Sequence, residues 1–149
     1  MVRWYFEDFT PGMTFEAKGP TLTREAIIEF ARQFDPQPFH LDEEAAKKSL
    51  FGGLAASGWH TAALAMRMMV DCWMNDSASL GSPGFDELRW VKPVLAGDTL
   101  SGRATVLEVK PSQSKPFMGA VRMKWEVFNQ KGELVMHTTN WGLIKKRGA

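Results

Sequence analysis

The stretch that decides the fold is Gly58–Trp73, GWHTAALAMRMMVDCW, which carries apolar residues on almost every side of a helix. Ala62, Ala63 and Ala65 are small enough to let other elements approach closely. A helix that is apolar nearly all round is expected in a protein interior, because its side chains would otherwise contact water. We therefore predict a long central helix with the rest of the chain packed around it.

The sequence after this helix alternates between apolar and polar residues, as β-strands do. One face of the segment 121–127 is apolar and the other is charged (Val121, Met123, Trp125 and Val127 against Arg122, Lys124 and Glu126). Asn129–Gly132 is typical of a hairpin loop whose glycine supplies a positive φ, and it precedes a strand at Leu134–Ile144. Strands are also predicted at Leu88–Val91 and Thr99–Val109, and a loop at Asn75–Gly84.

The first half of the chain favours helices. After a short strand, Thr14–Gly19, a helix is predicted to begin at the capping residue Thr23 and to pack through one apolar face (Ile27, Phe30, Ala31 and Phe34). Pro36 disfavours helical geometry at the preceding residue, so this helix should end at Asp35. Asp42–Lys48 places acidic residues before lysines, which suits a helix dipole and predicts a short exposed helix.

These elements define the fold class. No repeat, linker or low-complexity tract divides the 149 residues, so residues 1–149 are treated as one domain. The helices of the first half and the strands of the second half must then share a core. The prediction is an α+β domain in which an antiparallel sheet wraps around a long central buried helix.

Composition excludes several classes of protein. The formal charge of +1 at pH 7 lacks the basic excess of nucleic-acid-binding proteins. No apolar run is long enough to span a membrane, and acidic residues stand where a signal peptide needs an apolar segment. The single cysteine, Cys72, cannot form an intramolecular disulfide and suits a reducing compartment. We expect a cytoplasmic protein with neither nucleic acid nor membrane as a partner.

The most informative polar feature is FDPQPFH, at Phe34–His40. The two prolines of this stretch should hold Asp35 and His40 in a rigid bend. A carboxylate beside an imidazole can accept and donate protons near neutral pH. Asp35 and His40 are therefore candidate catalytic residues, and the alternative is an ordinary helix-capping aspartate with a loop histidine.

This segment resembles the signature of the MaoC-like (R)-specific enoyl-CoA hydratases, in which Asp, any residue, Asn, Pro, an aliphatic residue and His follow in order. Asp35, Pro38 and His40 match in register, Phe39 takes the aliphatic place, and Gln37 replaces the Asn. The resemblance identifies Asp35 and His40 with the catalytic pair of that family.

Two further stretches resemble the family in the same order along the chain. Phe51–Gly58 resembles its glycine-containing turn before the buried helix, and Lys92–Leu100 resembles its Gly-Asp turn between strands. The resemblance implies a hotdog fold, whose sheets usually pair edge to edge. We expect a homodimer, or a larger homo-oligomer built from such dimers, with Trp125, Phe128 and Trp141 offering surface for the contact.

The resemblance also implies the chemistry. The substrate would be an acyl thioester of coenzyme A, and the reaction would be reversible addition of water across its 2,3 double bond to give the (R)-3-hydroxyacyl product. Asp35 would act as base, His40 would orient the water and return a proton, and the backbone N–H of Gly58 would stabilise the enolate oxygen. No cofactor is implied apart from the coenzyme A of the substrate.

Two residues depart from the family pattern. Gln37 carries the amide of Asn on an arm that is longer by one methylene, so it still reaches the loop or the substrate with a shifted geometry. Met66 stands where some members have a Ser that braces the catalytic Asp, so Asp35 needs another partner, such as Ser57 or Thr61. Gln37, Ser57 and Met66 are therefore candidate substrate-binding residues. These two departures indicate either a branch of the family with a distinct substrate or a loss of activity.

Other residues leave alternatives open. Trp59 and His60 either line the acyl pocket or pack in the core. The depth of that pocket depends on how side chains such as Trp59, Met66 and Trp73 pack. The three histidines lack Cys or Glu partners at ligand spacing, so no metal site is predicted, and no glycine-rich dinucleotide motif is present.

Two other functions share this fold and ligand. A hotdog thioesterase would direct water at the thioester carbonyl instead of at C3. A non-catalytic acyl-CoA-binding protein would keep the loop but not the activity, and Gln37 and Met66 are the residues that favour it.

Overall fold

The computed structural model describes all 149 residues and contains four α-helices and one five-stranded sheet. The helices are α1 (Arg24–Phe34), α2 (Pro38–Leu41), α3 (Glu43–Lys47) and α4 (Gly58–Cys72). The strands are β1 (Thr14–Thr21), β2 (Ser79–Trp90), β3 (Thr99–Pro111), β4 (Met118–Phe128) and β5 (Leu134–Lys145). The strand order is β1-β3-β4-β5-β2, and every neighbouring pair is antiparallel.

The sheet packs one face against α4. The predicted apolar face of β4 is buried, with Val121, Met123, Trp125 and Val127 each at most 2% exposed. On the helix, Ala65, Met68 and Met69 lie within the two apolar clusters that join α4 to the sheet and to α1. This confirms the predicted α+β hotdog architecture of an antiparallel sheet around a central helix. No helix has the length and apolarity needed to cross a membrane.

The central helix is not covered on every side. Trp59 is 61% exposed and Met66 is 40% exposed, although both were expected to lie in the interior. They form a stripe that faces β2, where Leu80 and Phe85 are also about half exposed. The prediction that α4 is buried on almost every side is therefore wrong for this stripe, because no other element of the chain packs over it.

Strand β2 begins earlier than the sequence indicates, so the predicted loop at Asn75–Gly84 is wrong from Ser79 onward. Glycines and a proline in this part of the chain favoured a loop, but β2 lies at an edge of the sheet, where such residues are tolerated. Gly81 and Gly84 have φ of 110° and 144°, and the pairing of β2 with β5 shifts in register at both. One edge of the sheet therefore lies on β2, and β1 forms the other edge. Trp125, expected at a dimer surface, is instead buried in the interior strand β4.

The sequence signals at turns and helix ends predicted the observed structure correctly. The Thr23 side chain accepts a hydrogen bond from the Ala26 N–H at 3.1 Å, and α1 ends with Asp35 as its C-cap, as predicted. Gly132 has a φ of 74° in the hairpin between β4 and β5. Cys72 is half-buried, and burial raises the pKa of its thiol to about 11, which suits packing and not reactivity.

The apolar face of α1 is shorter than predicted. Ile27 and Ala31 are fully buried, but Phe34 is 68% exposed and packs beside Phe30, with ring centroids 5.1 Å apart. Phe34 lies in the last turn of α1, where the helix has passed the edge of the core. The inclusion of Phe34 in the packed face was therefore wrong.

This contrast gives a stability prediction. Ile27→Ala should lower the free energy of unfolding by about 2–5 kcal/mol, because it removes a fully buried side chain and leaves a cavity. Phe34→Ala removes a larger side chain from the same helix and should cost less than about 1 kcal/mol. Urea denaturation of both variants measures the difference. Equal losses would contradict this description of α1.

Candidate active site

The carboxylate of Asp35 and the imidazole of His40 meet beside the end of α1. Their Oδ2 and Nε2 atoms lie 3.3 Å apart without the alignment of a direct hydrogen bond, and the side chains are 17% and 6% exposed. Asp35 caps α1, whereas His40 belongs to the one-turn helix α2, which Pro38 begins. The prolines thus separate two helices, instead of forming the simple bend expected from the sequence.

A backbone carbonyl determines the tautomer of His40. The Nδ1 atom lies 2.6 Å from the carbonyl oxygen of Ala55. A carbonyl oxygen only accepts hydrogen bonds, so Nδ1 must carry the proton and donate it. In the neutral imidazole, Nε2 is then a bare acceptor that faces Asp35. The site therefore presents two acceptors side by side, the Nε2 lone pair and the carboxylate.

The neighbours of Asp35 favour its ionised form. Burial raises the pKa of the carboxyl group, but the Ser57 hydroxyl, the Gln37 amide and the positive charge available to His40 lower it, and the net shift is downward. The Gln37 side-chain amide donates to Asp35 Oδ1 at 2.6 Å. Gln37 thus contacts the carboxylate directly. Asp35 is an anion throughout the neutral pH range.

Ser57 supplies the contact with Asp35 that Met66 does not. Its side chain is fully buried, and Oγ is near enough to lower the carboxyl pKa, although it satisfies no hydrogen bond of good distance and angle. Of the two partners considered from sequence, Ser57 is therefore the one beside Asp35. Thr61 instead lines the adjoining cavity.

The backbone N–H of Gly58 has no acceptor within the protein. It lies at the N-terminus of α4, where the helix dipole concentrates positive partial charge. The Trp90 indole packs against this residue and donates to its carbonyl oxygen at 2.8 Å. A Cβ at position 58 would lie 2.5 Å from the Trp90 ring, so only glycine fits beneath the indole without displacing it.

A cavity of about 230 Å³ adjoins these groups. It brings together His40, the start of α4 and the segment that follows β2, and its lining residues are His40, Phe51, Ala56, Gly58, Thr61, Trp90, Val91, Lys92, Pro93 and Val94. Much of the wall thus comes from Phe51–Gly58 and Lys92–Leu100, the two further stretches that resemble the family. Trp90 was missed from sequence, because only the fold brings the end of β2 over Gly58.

The other predicted substrate-binding residues, Trp59, His60 and Met66, do not line this cavity. Trp59 is next to it, with its ring 5.1 Å from that of Trp90 in an edge-on arrangement. His60 stacks on Phe30 at 4.6 Å, and burial lowers the pKa of its imidazole. Met66 lines different cavities, on the side of α4 that faces β2. No group of three or more His, Cys, Asp or Glu side chains is arranged to hold a metal ion.

Fold and site together define the class of the protein, a hotdog domain in which an Asp-His pair lies beside the N-terminus of the central helix. The chain belongs to the MaoC-like family, since the family described as the MaoC like domain matches residues 7–126.

Solved structures and sequence relatives support membership of this family. The crystal structure of the MaoC-like dehydratase from Rhodospirillum rubrum shares 43% identity, with a TM-score of 0.92 over 99% of this chain and 100% of that chain. The (R)-hydratase PhaJ1 of Pseudomonas aeruginosa shares 25% identity, with a TM-score of 0.79 over 96% of this chain and 86% of its own. Mesaconyl-CoA hydratase of Cereibacter sphaeroides is 32% identical over 119 residues, which are 80% of this chain and 29% of that protein. This chain therefore spans less than a third of that relative.

The lowered pKa of Asp35 predicts how stability depends on pH. A carboxylate with a depressed pKa stabilises the folded state above its ordinary pKa of about 4, and this contribution is lost as the pH falls through the folded-state value. Asp35→Asn should therefore be less stable than the wild type near pH 7, and the gap should close below about pH 4. Urea unfolding of both proteins across this pH range measures the difference in their free energies of unfolding. A gap that widens on acidification would contradict the assignment.

Proposed function

We propose that the protein catalyses reversible hydration of a 2-enoyl-CoA thioester to the (R)-3-hydroxyacyl-CoA. Membership of the MaoC-like family and similarity to an (R)-hydratase support this class of reaction. The observation that carries the proposal is the pair of acceptors, Asp35 Oδ2 and His40 Nε2, together with the unpaired N–H of Gly58, a residue that lines the same cavity as His40. Hydration needs these parts: a site for water, a proton acceptor and a donor to the thioester oxygen.

In this mechanism, one water donates a hydrogen bond to each acceptor. His40 Nε2 takes a proton as the water oxygen bonds to C3, and the electron pair of the double bond moves onto the thioester as an enolate. The Gly58 N–H stabilises the enolate oxygen, and such a donor is typically worth about 3 kcal/mol in the transition state. The imidazolium then gives its proton to C2, so the elements of water are added and the enzyme is restored.

This mechanism reverses the division of roles expected from sequence, in which Asp35 was the base. The neighbours that lower the pKa of Asp35 also make its carboxylate a weaker base. An imidazole matches neutral pH better. Asp35 is thus assigned to orient the water and to stabilise the imidazolium, and His40 to move the proton.

Activity measurements with crotonyl-CoA test the proposal. Loss of the enoyl absorbance is expected with the wild type. Asp35→Asn and His40→Ala should each lower kcat/KM by about 10²–10⁴-fold, because the first removes the negative charge beside the imidazole and the second removes the group that moves the proton. Asp42→Asn is the matched control, since Asp42 caps α3 and Asn caps equally well. Circular dichroism checks that each variant is folded. Near-wild-type turnover in either dyad variant would refute the mechanism.

Measuring free thiol in the same reactions, alongside the enoyl absorbance, separates the two alternative functions. A thioesterase would release free coenzyme A thiol from saturated and unsaturated substrates alike. A non-catalytic binder would bind crotonyl-CoA without loss of the enoyl absorbance and without release of free thiol.

We also propose that the protein is a homodimer, joined through the edge strand β2. This strand leaves backbone groups unpaired on one side. Its exposed Phe85 lies beside the exposed Trp59 and Met66 of α4, and its Leu80 is also about half exposed. A second copy pairing through β2 would satisfy the strand and cover this stripe. The reaction is assigned to the cytoplasm, with coenzyme A present only as part of the substrate.

Sedimentation measurements test the dimer. The wild type should sediment at twice the 16.7 kDa of the chain. Phe85→Lys should shift the protein toward the monomer, because it places a charge in the proposed interface. Phe117→Lys is the matched control, since Phe117 is 45% exposed and Phe85 is 47% exposed, but Phe117 lies on the turn before β4. A monomeric wild type, or equal effects of the two variants, would contradict the proposed interface.

A further inference from the structure

Two aromatic rings stand between the cavity at the dyad and a larger apolar cavity. The apolar cavity has a volume of about 420 Å³, against about 230 Å³ at the dyad, and the two cavities share no lining residue. Of these two cavities, Trp90 lines the one at the dyad and Trp59 lines the apolar one. Their rings are in edge-on contact, with centroids 5.1 Å apart. The two cavities are therefore neighbours, and this pair of rings lies at their boundary.

The backbone also runs directly from one cavity to the other. On α4, Thr61 lines the dyad cavity and the next residue, Ala62, lines the apolar cavity. On β2, Leu88 lines the apolar cavity, and Trp90, two positions later on the same face of the strand, lines the dyad cavity. An acyl chain that extended from the dyad cavity on this side would therefore meet the Trp90 ring before it reached the apolar cavity.

The Trp90 ring is held in place by Gly58 and not by burial, since Trp90 is 45% exposed. Its indole N–H donates to the carbonyl oxygen of Gly58 at 2.8 Å. The ring also packs so closely on Gly58 that a Cβ there would lie 2.5 Å from it. The indole cannot turn away from α4 without losing this hydrogen bond. Trp90 therefore forms a fixed wall of the dyad cavity.

We propose that Trp90 restricts the substrate to short-chain enoyl-CoAs by closing the dyad cavity against the apolar one. This inference rests on the proposed hydratase function and names the substrate class of the same site. The dyad cavity is smaller than the roughly 300–1,000 Å³ of sites for drug-sized ligands, which suits a small acyl group. A hydrophobic pocket can discriminate one methylene by about 10–200-fold, so a fixed ring is sufficient to reject longer chains.

The apolar cavity is where a longer chain would bind if the ring were absent. No charged side chain lines it, and the hydroxyl of Thr138, its one polar lining residue, already donates to the carbonyl oxygen of Glu87. Such a wall favours the methylenes of an aliphatic chain, since their transfer out of water is favourable. Removal of the Trp90 ring should therefore extend the range of chains that bind, and not merely weaken the binding of short ones.

Calorimetric binding of two unreactive, saturated thioesters, butyryl-CoA and octanoyl-CoA, tests this without relying on turnover. Both probes carry coenzyme A, so the ratio of their dissociation constants reports on the acyl chain. The wild type should bind butyryl-CoA about tenfold or more tightly than octanoyl-CoA. Trp90→Ala should reverse this order, because the four added methylenes can then enter the apolar cavity. Phe117→Ala is the matched control, since Phe117 is also 45% exposed but lies on the turn before β4, and it should keep the wild-type ratio.

Gly58→Ala displaces the ring without removing it. Alanine keeps the backbone N–H at the start of α4, but its Cβ would push the indole from its position. This variant should therefore shift the ratio toward octanoyl-CoA, as Trp90→Ala does. Trp90→Phe, which has a smaller ring and no N–H donor, should shift the ratio less than Trp90→Ala. Circular dichroism checks the fold of each variant, and Gly58→Ala and Trp90→Phe decide the question if Trp90→Ala does not fold.

Three results would overturn the inference. A wild type that prefers octanoyl-CoA would show that the ring does not limit the chain. Equal weakening of both probes in Trp90→Ala would assign Trp90 to packing or to the binding of coenzyme A. A folded Gly58→Ala variant with the wild-type ratio would show that the position of the ring does not set the chain length. Each of these results leaves the hydratase function standing, whereas a wild type that binds neither probe would count against that function itself.

Discussion

The site depends on how the buried segment Leu54–Ser57 is held. Its backbone bonds to the segment after β2 at both ends: Leu54 O accepts from Ala96, and the Ala56 N–H donates to Val94 O at 2.8 Å. The carbonyl oxygen of Ala55 accepts from His40 Nδ1. Ser57 then places a hydroxyl beside Asp35 and begins α4. One short stretch thus sets the tautomer of the histidine, the charge of the carboxylate and the position of the helix N-terminus.

These effects act together because they share a backbone. If the segment shifted, Nδ1 would lose its acceptor, and the proton could move to Nε2, the atom that stays bare in the proposed mechanism in order to accept from water. The same shift would withdraw Ser57 from Asp35 and raise its pKa. The packing of α4 against the sheet therefore supports the geometry that the proposed mechanism needs, since it holds this segment in place. The Asp-His pair and the Gln37 amide beside it are local in sequence, but the acceptor for His40 and the Ser57 hydroxyl beside Asp35 come from residues fifteen or more positions away.

The parts of the fold that local signals control were predictable from sequence. Thr23 and Pro36 mark the ends of α1 by capping and by steric exclusion, and both effects act within a few residues. The start of β2 was not predictable, because its glycines favour a loop and only pairing with β5 makes it a strand. In the site, the proximity of Asp35 and His40 followed from spacing. The cover that Trp90 forms over Gly58 did not, since it joins residues thirty-two positions apart.

The exposed stripe of α4 connects the proposed assembly to the interior of the protein. Met66 and Phe85 lie both on this stripe and in the walls of two cavities beside the sheet. In a dimer joined through β2, a second copy would cover the stripe and exclude water from these walls. The same side chains would then stabilise the dimer and close the apolar face that α4 leaves open in a single chain.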